Sequence, residues 1–327
     1  MKRIYLDQNI WIELSRARLG RNGAKKEFVE VYELAKFASA HGMASFALSQ
    51  THMYETQKRQ EWSKRLDIVE TMIEISRLHA IRHVTRVVPA EANFAIGVLG
   101  GHSPAPPNVF GFGVRDMLAK CIDNQPFPRG IDLRALGYRE SFVKLAERFD
   151  LLQDWDALLL AGAPPGIASI EIRSALRAVD LAFAADQSGV ADKIKALDLK
   201  GAALEDVLMH YTLTEVRHEL FRAASEYGIP GKALVDFMVA EPASMLRMLP
   251  SRHVVHSMYM QHAQRQKNWK PNDLHDITAL GVAVPYCDAV ATERHWVTVL
   301  RQRKIDEGHG TVLLASPTEL SAYLAGL

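Results

Sequence analysis

The run Asn272-Asp273-Leu274-His275-Asp276-Ile277-Thr278-Ala279-Leu280, followed by Pro285-Tyr286-Cys287-Asp288-Ala289-Val290-Ala291-Thr292-Glu293, carries the residues best suited to chemistry. Its acids are Asp273, Asp276, Asp288 and Glu293, with apolar filler between them. Asp273 and Asp276 are three apart and share one face of a helix. Pro285 ends that helix, and Ala289-Val290-Ala291 reads as a short buried strand with an acid at each end. Two carboxylates about 4 Å apart repel by roughly 4 kcal/mol at an effective dielectric near 20. A fold keeps such a cluster when a cation sits in it, commonly Mg²⁺ or Mn²⁺. The bland alternative is that helix acids such as these only cap helices.

Elements near the N-terminus could deliver more carboxylates to the same place. Arg3-Ile4-Tyr5-Leu6 is a short β-prone run that Asp7-Gln8-Asn9 ends, and Ile10 opens a helix. An Asp at the C-terminal end of a first strand lies on the ligand side of an open α/β sheet, unless it serves only as a helix cap. A helix over 24–41 is followed by a strand at Ala44–Leu48. Ser49 then caps a helix that carries Glu55 about two turns in. That helix is expected to continue to about His79. Val84 to Val88 reads as a strand, Pro89 as the first position of a helix, and Glu91 as a weaker candidate acid.

Gly100 to Pro107 reads as a loop and a boundary. From about 115 to 265 the pattern is helical, with stripes such as Phe142/Leu145/Phe149 and Leu204/Leu208/Tyr211 and no fixed repeat period. At the C-terminal end the spacing predicts a helix over 294–304, a strand at Thr311–Leu314 and a closing helix from Pro317. Strand signals at both ends and helices between them predict one α/β sheet formed by both chain ends, with a helical insertion.

The 327 residues suffice for one large or two ordinary domains. A net charge of +1 gives no global basic field, so nucleic-acid binding would need a local patch. Only two cysteines, Cys121 and Cys287, are present, which fits a reducing compartment and no disulfide framework. No run reaches the roughly 18 apolar residues of a membrane span, and the N-terminus lacks a signal-peptide pattern. A cytoplasmic protein is expected.

These residues resemble a known family. Ile4-Tyr5-Leu6-Asp7-Gln8-Asn9 looks like the opening of PIN-domain nucleases, and so does the strand, Ser49 and helical Glu55 that follow. Asp273-x-x-Asp276 through Asp288 and Glu293, and the closing Val312-Leu313-Leu314-Ala315-Ser316-Pro317, are similar to a bacterial PIN-like group. The resemblance covers positions 1–90 and 270–327. It implies an α/β, Rossmann-like parallel sheet with helices on both faces, made by residues 1–98 and 266–327. Residues 99–265 would be an all-helical insertion without counterpart in minimal members.

The activity implied is Mg²⁺- or Mn²⁺-dependent hydrolysis of RNA, single-stranded or structured, often as the toxin of a toxin–antitoxin pair. An antitoxin or a second copy of the chain would then be a partner. Asp7 would be the first acid and Glu55 the second. Asp276 or Asp273 would be the third, and Asp288 or Glu293 the fourth. Many members have Asp where this chain has Glu293. Within that reading Asp7, Asp276 and Asp288 are the metal ligands, and Glu55 is a ligand or orients the attacking water. Asp273 and Glu293 support the cation or supply its fourth acid. Asn9 and Thr292 would hydrogen-bond these groups or the phosphate of the substrate, and Arg294, Lys270 and Lys58 would contact backbone phosphates.

Other readings compete with this one. A non-catalytic PIN-like scaffold that binds RNA or a protein would explain Glu293 and the helical middle. A phosphohydrolase of the HAD type needs a second Asp two residues after the first, where this chain has Asn9. His253 and His256 have helical zinc-pair spacing with no matching third ligand, and Arg77 with His83 matches a loose ribonuclease spacing of helical HEPN proteins. Trp62, Trp155, Trp269 and Trp296 read as core or interface, and Cys287 as a small core residue.

Overall fold

A computed structural model describes residues 1–20, 24–119, 132–149, 159–162, 169–265 and 268–327. The N-terminal part runs β1 (Lys2–Leu6), α1 (Gln8–Arg18), α2 (Lys26–Ala40), β2 (Ala44–Phe46), α3 (Gln50–Gln57), α4 (Trp62–Ser76), β3 (His79–Ile81) and α5 (Val84–Leu99). The middle contains β4 (Phe110–Phe112), α6 (Val114–Met117), α7 (Glu140–Phe149), α8 (Ser169–Ala196), α9 (Gly201–Thr214), α10 (Arg217–Glu226), α11 (Gly231–Ala240), α12 (Pro242–Arg247) and α13 (Pro250–Gln264). The chain closes with α14 (Asp273–Tyr286), β5 (Ala289–Ala291), α15 (Arg294–Gln302), α16 (Ile305–His309), β6 (Val312–Leu314) and α17 (Pro317–Ala325).

The protein is α/β, with one four-stranded sheet in the order β2-β1-β5-β6. Every neighbouring pair is parallel: Ile4 pairs with Phe46 and Ala289, Leu6 with Ala291, and Ala291 with Leu314. Both chain ends therefore build the sheet. Strand alternation gives each face its own core. Ile4, Leu6, Ala289, Ala291 and Leu314 pack with Trp11 and Leu14 of α1, Val31 of α2 and Leu320 of α17. Tyr5, Val290 and Leu313 pack on the opposite face with Val254 and Met258 of α13, Leu280 and Ala283 of α14, and Trp296 of α15. A parallel sheet covered on both faces needs apolar residues at consecutive positions, which is why these strands are short unbroken apolar runs.

The order places the reversal of the direction in which strands are added between β1 and β5. From β1 the chain moves outward to β2, and from β5 it moves the other way to β6. The crevice outside the C-terminal ends of β1 and β5 is thus the topological switch point, where open α/β sheets bind ligands.

Several expectations from sequence are corrected. The helix carrying Glu55 does not run to His79; it breaks between Gln57 and Trp62, and His79 begins β3. Val84–Val88 is helical, with His83 capping α5 by accepting from the Thr85 amide, and Pro89 lies inside that helix. The β-branched run gave way to burial: Val87, Val88, Ala92, Ala95 and Ile96 form the inner face of α5. The insertion is not all-helical, because β4 pairs antiparallel with β3. Nor does it stand apart from the sheet, since α13 supplies part of the second core. Among the described residues no helix is long and apolar enough to cross a membrane.

Candidate active site

Asp7 follows β1 directly and has two jobs. Its Oδ1 accepts from the Gln8 amide at 2.6 Å, capping α1, and its Oδ2 accepts from the Thr292 hydroxyl at 2.9 Å. Thr292 follows β5, so this bond ties together the ends of the two strands that flank the switch point. The Asp7 amide also donates to the Ala291 carbonyl at 2.9 Å.

Glu55 reaches the same place from α3. That helix is aimed by His52, a residue the sequence reading passed over. His52 Nδ1 accepts from the Ser49 amide at 2.9 Å, and Nε2 lies 2.8 Å from the Leu6 carbonyl, the residue before Asp7. Burial pushes the His52 ring down to about 4, so it stays neutral and can accept at one nitrogen while donating at the other. A His at the third position of a helix that follows a Ser cap is the available sequence signal.

Asp276 arrives from the first turn of α14. Trp296 Nε1 donates to its Oδ2 at 2.9 Å. Trp296 is buried as expected, but its ring nitrogen is spent on orienting a carboxylate. Asp7, Glu55, Asp276 and Thr292 line one cleft, with Tyr5, Thr51 and His275. Its free space is about 10 Å³, the scale of a single water or ion.

Burial raises all three carboxylates, and the charge of Asp7 adds to the rise of the other two. Burial, then the charges of Asp7 and Asp276, push Glu55 up to about 8. Burial, then Asp7, push Asp276 up to about 7, with Glu293 and Asp273 adding to the rise and the Trp296 bond opposing it. Asp7 is raised by burial and by Glu293, against the hydrogen bonds from Thr292 and Gln8. Glu293 itself is exposed at the start of α15, where its Oε1 accepts from Asn9 Nδ2 at 2.9 Å. Together with Asp7 and Thr292 these two residues line an adjoining cleft, so Glu293 and Asn9 form the rim of the site.

Asp288 is not part of this group, which corrects its assignment as a ligand. It precedes β5, at the opposite end of the sheet, where it accepts from Lys2 Nζ and the Arg3 amide, each at 2.8 Å. Burial works to raise its pKa, but the Arg3 and Lys2 contacts hold it below the ordinary range. A strand with acids at both ends must send them to opposite edges of a sheet. Asp273 also turns away: its Oδ2 accepts from the Lys270 amide at 2.8 Å and lies 3.7 Å from His262 Nε2. It opens α14 without capping it, since its bond goes back to the turn before the helix.

The basic candidates are scattered. Lys270 and Arg294 are exposed and do not line the acid cleft. Lys58 is bonded to Asp180 of α8 and lies 2.8 Å from His275 Nε2. His275 borders the acid cleft, so α8 reaches its edge through this cluster, with His275 Nε2 also 2.8 Å from Asp180 Oδ1.

The remaining candidates have structural places. Arg77 is the left-handed cap of α4 and His83 caps α5. Glu91 is buried away from the cleft and accepts from Ser251 and Tyr286. Trp62 packs edge-on to Tyr138, and Trp269 stacks on His262. Cys287 is buried and its thiol is pushed well up by that burial, so it is no thiolate nucleophile. Cys121 and Trp155 lie outside the described residues.

Among the described residues no three His, Cys, Asp or Glu side chains, the His253/His256 pair included, are gathered to hold a metal ion as they stand. Compared with protein-family models, curated proteins and solved structures, the chain matches none of them significantly.

Proposed function

We propose that this protein is a PIN-like endoribonuclease that hydrolyses RNA phosphodiester bonds with Mg²⁺ or Mn²⁺. The observation that carries the reading is the gathering of Asp7, Glu55 and Asp276 in one narrow cleft at the switch point of a parallel sheet, where burial and the Asp7 charge raise both other acids. Buried carboxylates that repel one another at a ligand-binding edge mark a site designed for positive charge.

The donor set fits a hard cation, because all its nearest acids offer oxygen. Mg²⁺ in particular keeps several waters and needs only one or two carboxylates directly. Asp7 and Asp276 would hold it, each already oriented by a hydrogen bond through its Oδ2. When bound, the cation supplies charge against the phosphoryl oxygens and makes a nearby water more acidic. Glu55 makes no hydrogen bond among the described residues and is positioned to orient the attacking water and take up its proton. Glu293, steadied by Asn9, adds negative charge at the rim. Asn9 stands where the HAD-type reading needs an acid, and an amide donates no proton to a leaving group.

The test is cleavage of end-labelled single-stranded RNA by wild-type protein and Asp276→Asn, with Mg²⁺, Mn²⁺ or EDTA. Cleavage that needs the metal and disappears in the variant supports the reading. A chain that leaves RNA intact with both metals would be the scaffold instead, and the nuclease proposal would fall.

A further inference from the structure

A second pocket lies just beyond the end of α3, within reach of the Glu55 charge. It is lined by Ser15 and Arg16 of α1, Arg59 just beyond α3, and Lys64 and Asp67 of α4. Three cations therefore share one concavity. The one acid among these residues is already engaged, since Asp67 Oδ1 accepts from Arg139 at 2.6 Å. Arg16 bonds Glu13 at 2.8 Å with the guanidinium exposed and the carboxylate half-buried, and Lys64 bonds Glu61 in an exposed pair that water screens.

Arg59 differs from both. It is partly buried, and among the described residues its side chain makes no hydrogen bond or ion pair. Its pKa is lowered by burial first and by the charge of Arg16 next, against Glu55 and Glu61. A guanidinium carries five donors in a planar fork suited to phosphate. Holding that fork in a recess with two further cations is unfavourable unless an anion enters. Lys58, the neighbouring residue, shows the contrast: Asp180 already occupies it.

We infer that this pocket is a phosphate subsite for single-stranded RNA, in which Arg59, backed by Arg16 and Lys64, grips the backbone next to the cleavage position. The inference deepens the nuclease reading and rests on it. Arg59 follows Glu55 by one turn of chain. Glu55 and Arg59 act on each other's charge, so a strand that presents one phosphate to Asp7, Glu55 and Asp276 would bring a neighbouring phosphate toward Arg59. Such a contact sets the position of the strand without reading its bases.

The experiment measures binding apart from cleavage. A fluorescein-labelled oligouridine is titrated by anisotropy into Asp7→Asn protein and into Asp7→Asn carrying Arg59→Ala, at several salt concentrations. Loss of Arg59 is expected to weaken binding about tenfold, the scale of one charge-assisted contact. The slope of log K against log salt should shrink by about 0.7, the value for one phosphate on a single strand. Arg59→Lys should keep the slope and lose part of the affinity, while Arg222→Ala on α10 should change neither.

Unchanged affinity and slope in the Arg59→Ala protein would overturn the subsite, as would failure of the Asp7→Asn parent to bind the RNA. Should Arg59→Ala melt far below its parent, Arg59→Gln is read in its place, with the same criteria. Arg59-dependent binding by a chain whose wild type never cleaves would keep the subsite and remove the nuclease reading. Metal-dependent cleavage with Arg59-independent binding would do the reverse.

Discussion

Asp288 stands before β5 and Thr292-Glu293 stand after it, so a strand of three residues separates two different electrostatic settings. At the first, a carboxylate meets an ammonium and a backbone amide, and its pKa falls below the ordinary range. At the second, Asp7, Asp276 and Glu55 make no ion pair among the described residues, and all three are raised. The sequence offers the two acids of this strand as equals. The fold satisfies one with Lys2 and gathers, at the other end, buried carboxylates that no cation pairs among the described residues. Parallel sheets concentrate function at the C-terminal edge because the loops there converge at the switch point. The opposite edge is free to be ordinary surface.

The largest expected effect separates the two ends by activity. If the reading is right, Asp7→Asn should lower metal-dependent RNA cleavage by a factor on the order of 10²–10³, the scale of removing one transition-state electrostatic group. Asp288→Asn should leave the rate within a small factor of wild type. Equal losses in the two variants would erase the distinction.

Metal binding sharpens the same contrast without any substrate. Mn²⁺ at about a hundred times its Kd should stabilise the wild-type fold by about 2.7 kcal/mol. In a thermal melt, Asp288→Asn should show the same rise and Asp276→Asn little or none. A rise that survives Asp276→Asn would place the ion elsewhere.

The pH dependence in EDTA should have opposite signs at the two ends. Glu55 and Asp276 have folded pKa values of about 8 and about 7, above their ordinary values, so the folded state binds their protons more tightly than the unfolded chain. Their contribution is full below the ordinary carboxylate range and is lost as pH rises through 7 to 8. Glu55→Gln and Asp276→Asn should therefore gain melting temperature over wild type as pH rises from 5 to 9. Asp288 has a lowered pKa, so its contribution is present above the ordinary range and fades as pH falls. Asp288→Asn should lose against wild type at neutral pH and draw level in acid. Parallel melting curves for all these proteins across pH would contradict the electrostatic picture.

The smallest effect is that of Lys2→Ala. Its ammonium is exposed, and an exposed ion pair is screened by water and salt. The melting temperature should barely move, and cleavage should not change. A marked loss of activity would mean that the N-terminal edge of the sheet takes part after all.

Much of the sheet was legible in the chain because its strands are short apolar runs with turn residues at their ends. Ile4-Tyr5-Leu6 before Asp7, and Ala289-Val290-Ala291 before Thr292, needed only the rule that buried parallel strands are apolar on both faces. The break between α3 and α4 was not legible, because Lys58-Arg59-Gln60-Glu61 contains no Gly or Pro and reads as ordinary helix surface. Val84–Val88 misled for a related reason. β-branched residues favour strands only weakly, and the burial of Val87 and Ile96 decided for helix. Trp296 looked like core and is core, yet its ring nitrogen orients Asp276, a contact that depends on where α15 crosses α14.

What the sequence determined by itself was the inventory: an acid after the first strand, an acid on the helix after the second, and an acidic run close to a last pair of strands. Local pattern suffices for this, since burial period and turn chemistry are written within a few neighbouring residues. Only the tertiary structure decided which acids share a cleft. Parallel pairing of β1 with β5 brings Asp7 to Thr292 and Glu293, and the same pairing carries Asp288 to Lys2 at the far edge. The physical reason is direction: strand polarity fixes which end of each apolar run faces the switch point, and that polarity exists only once distant strands have paired.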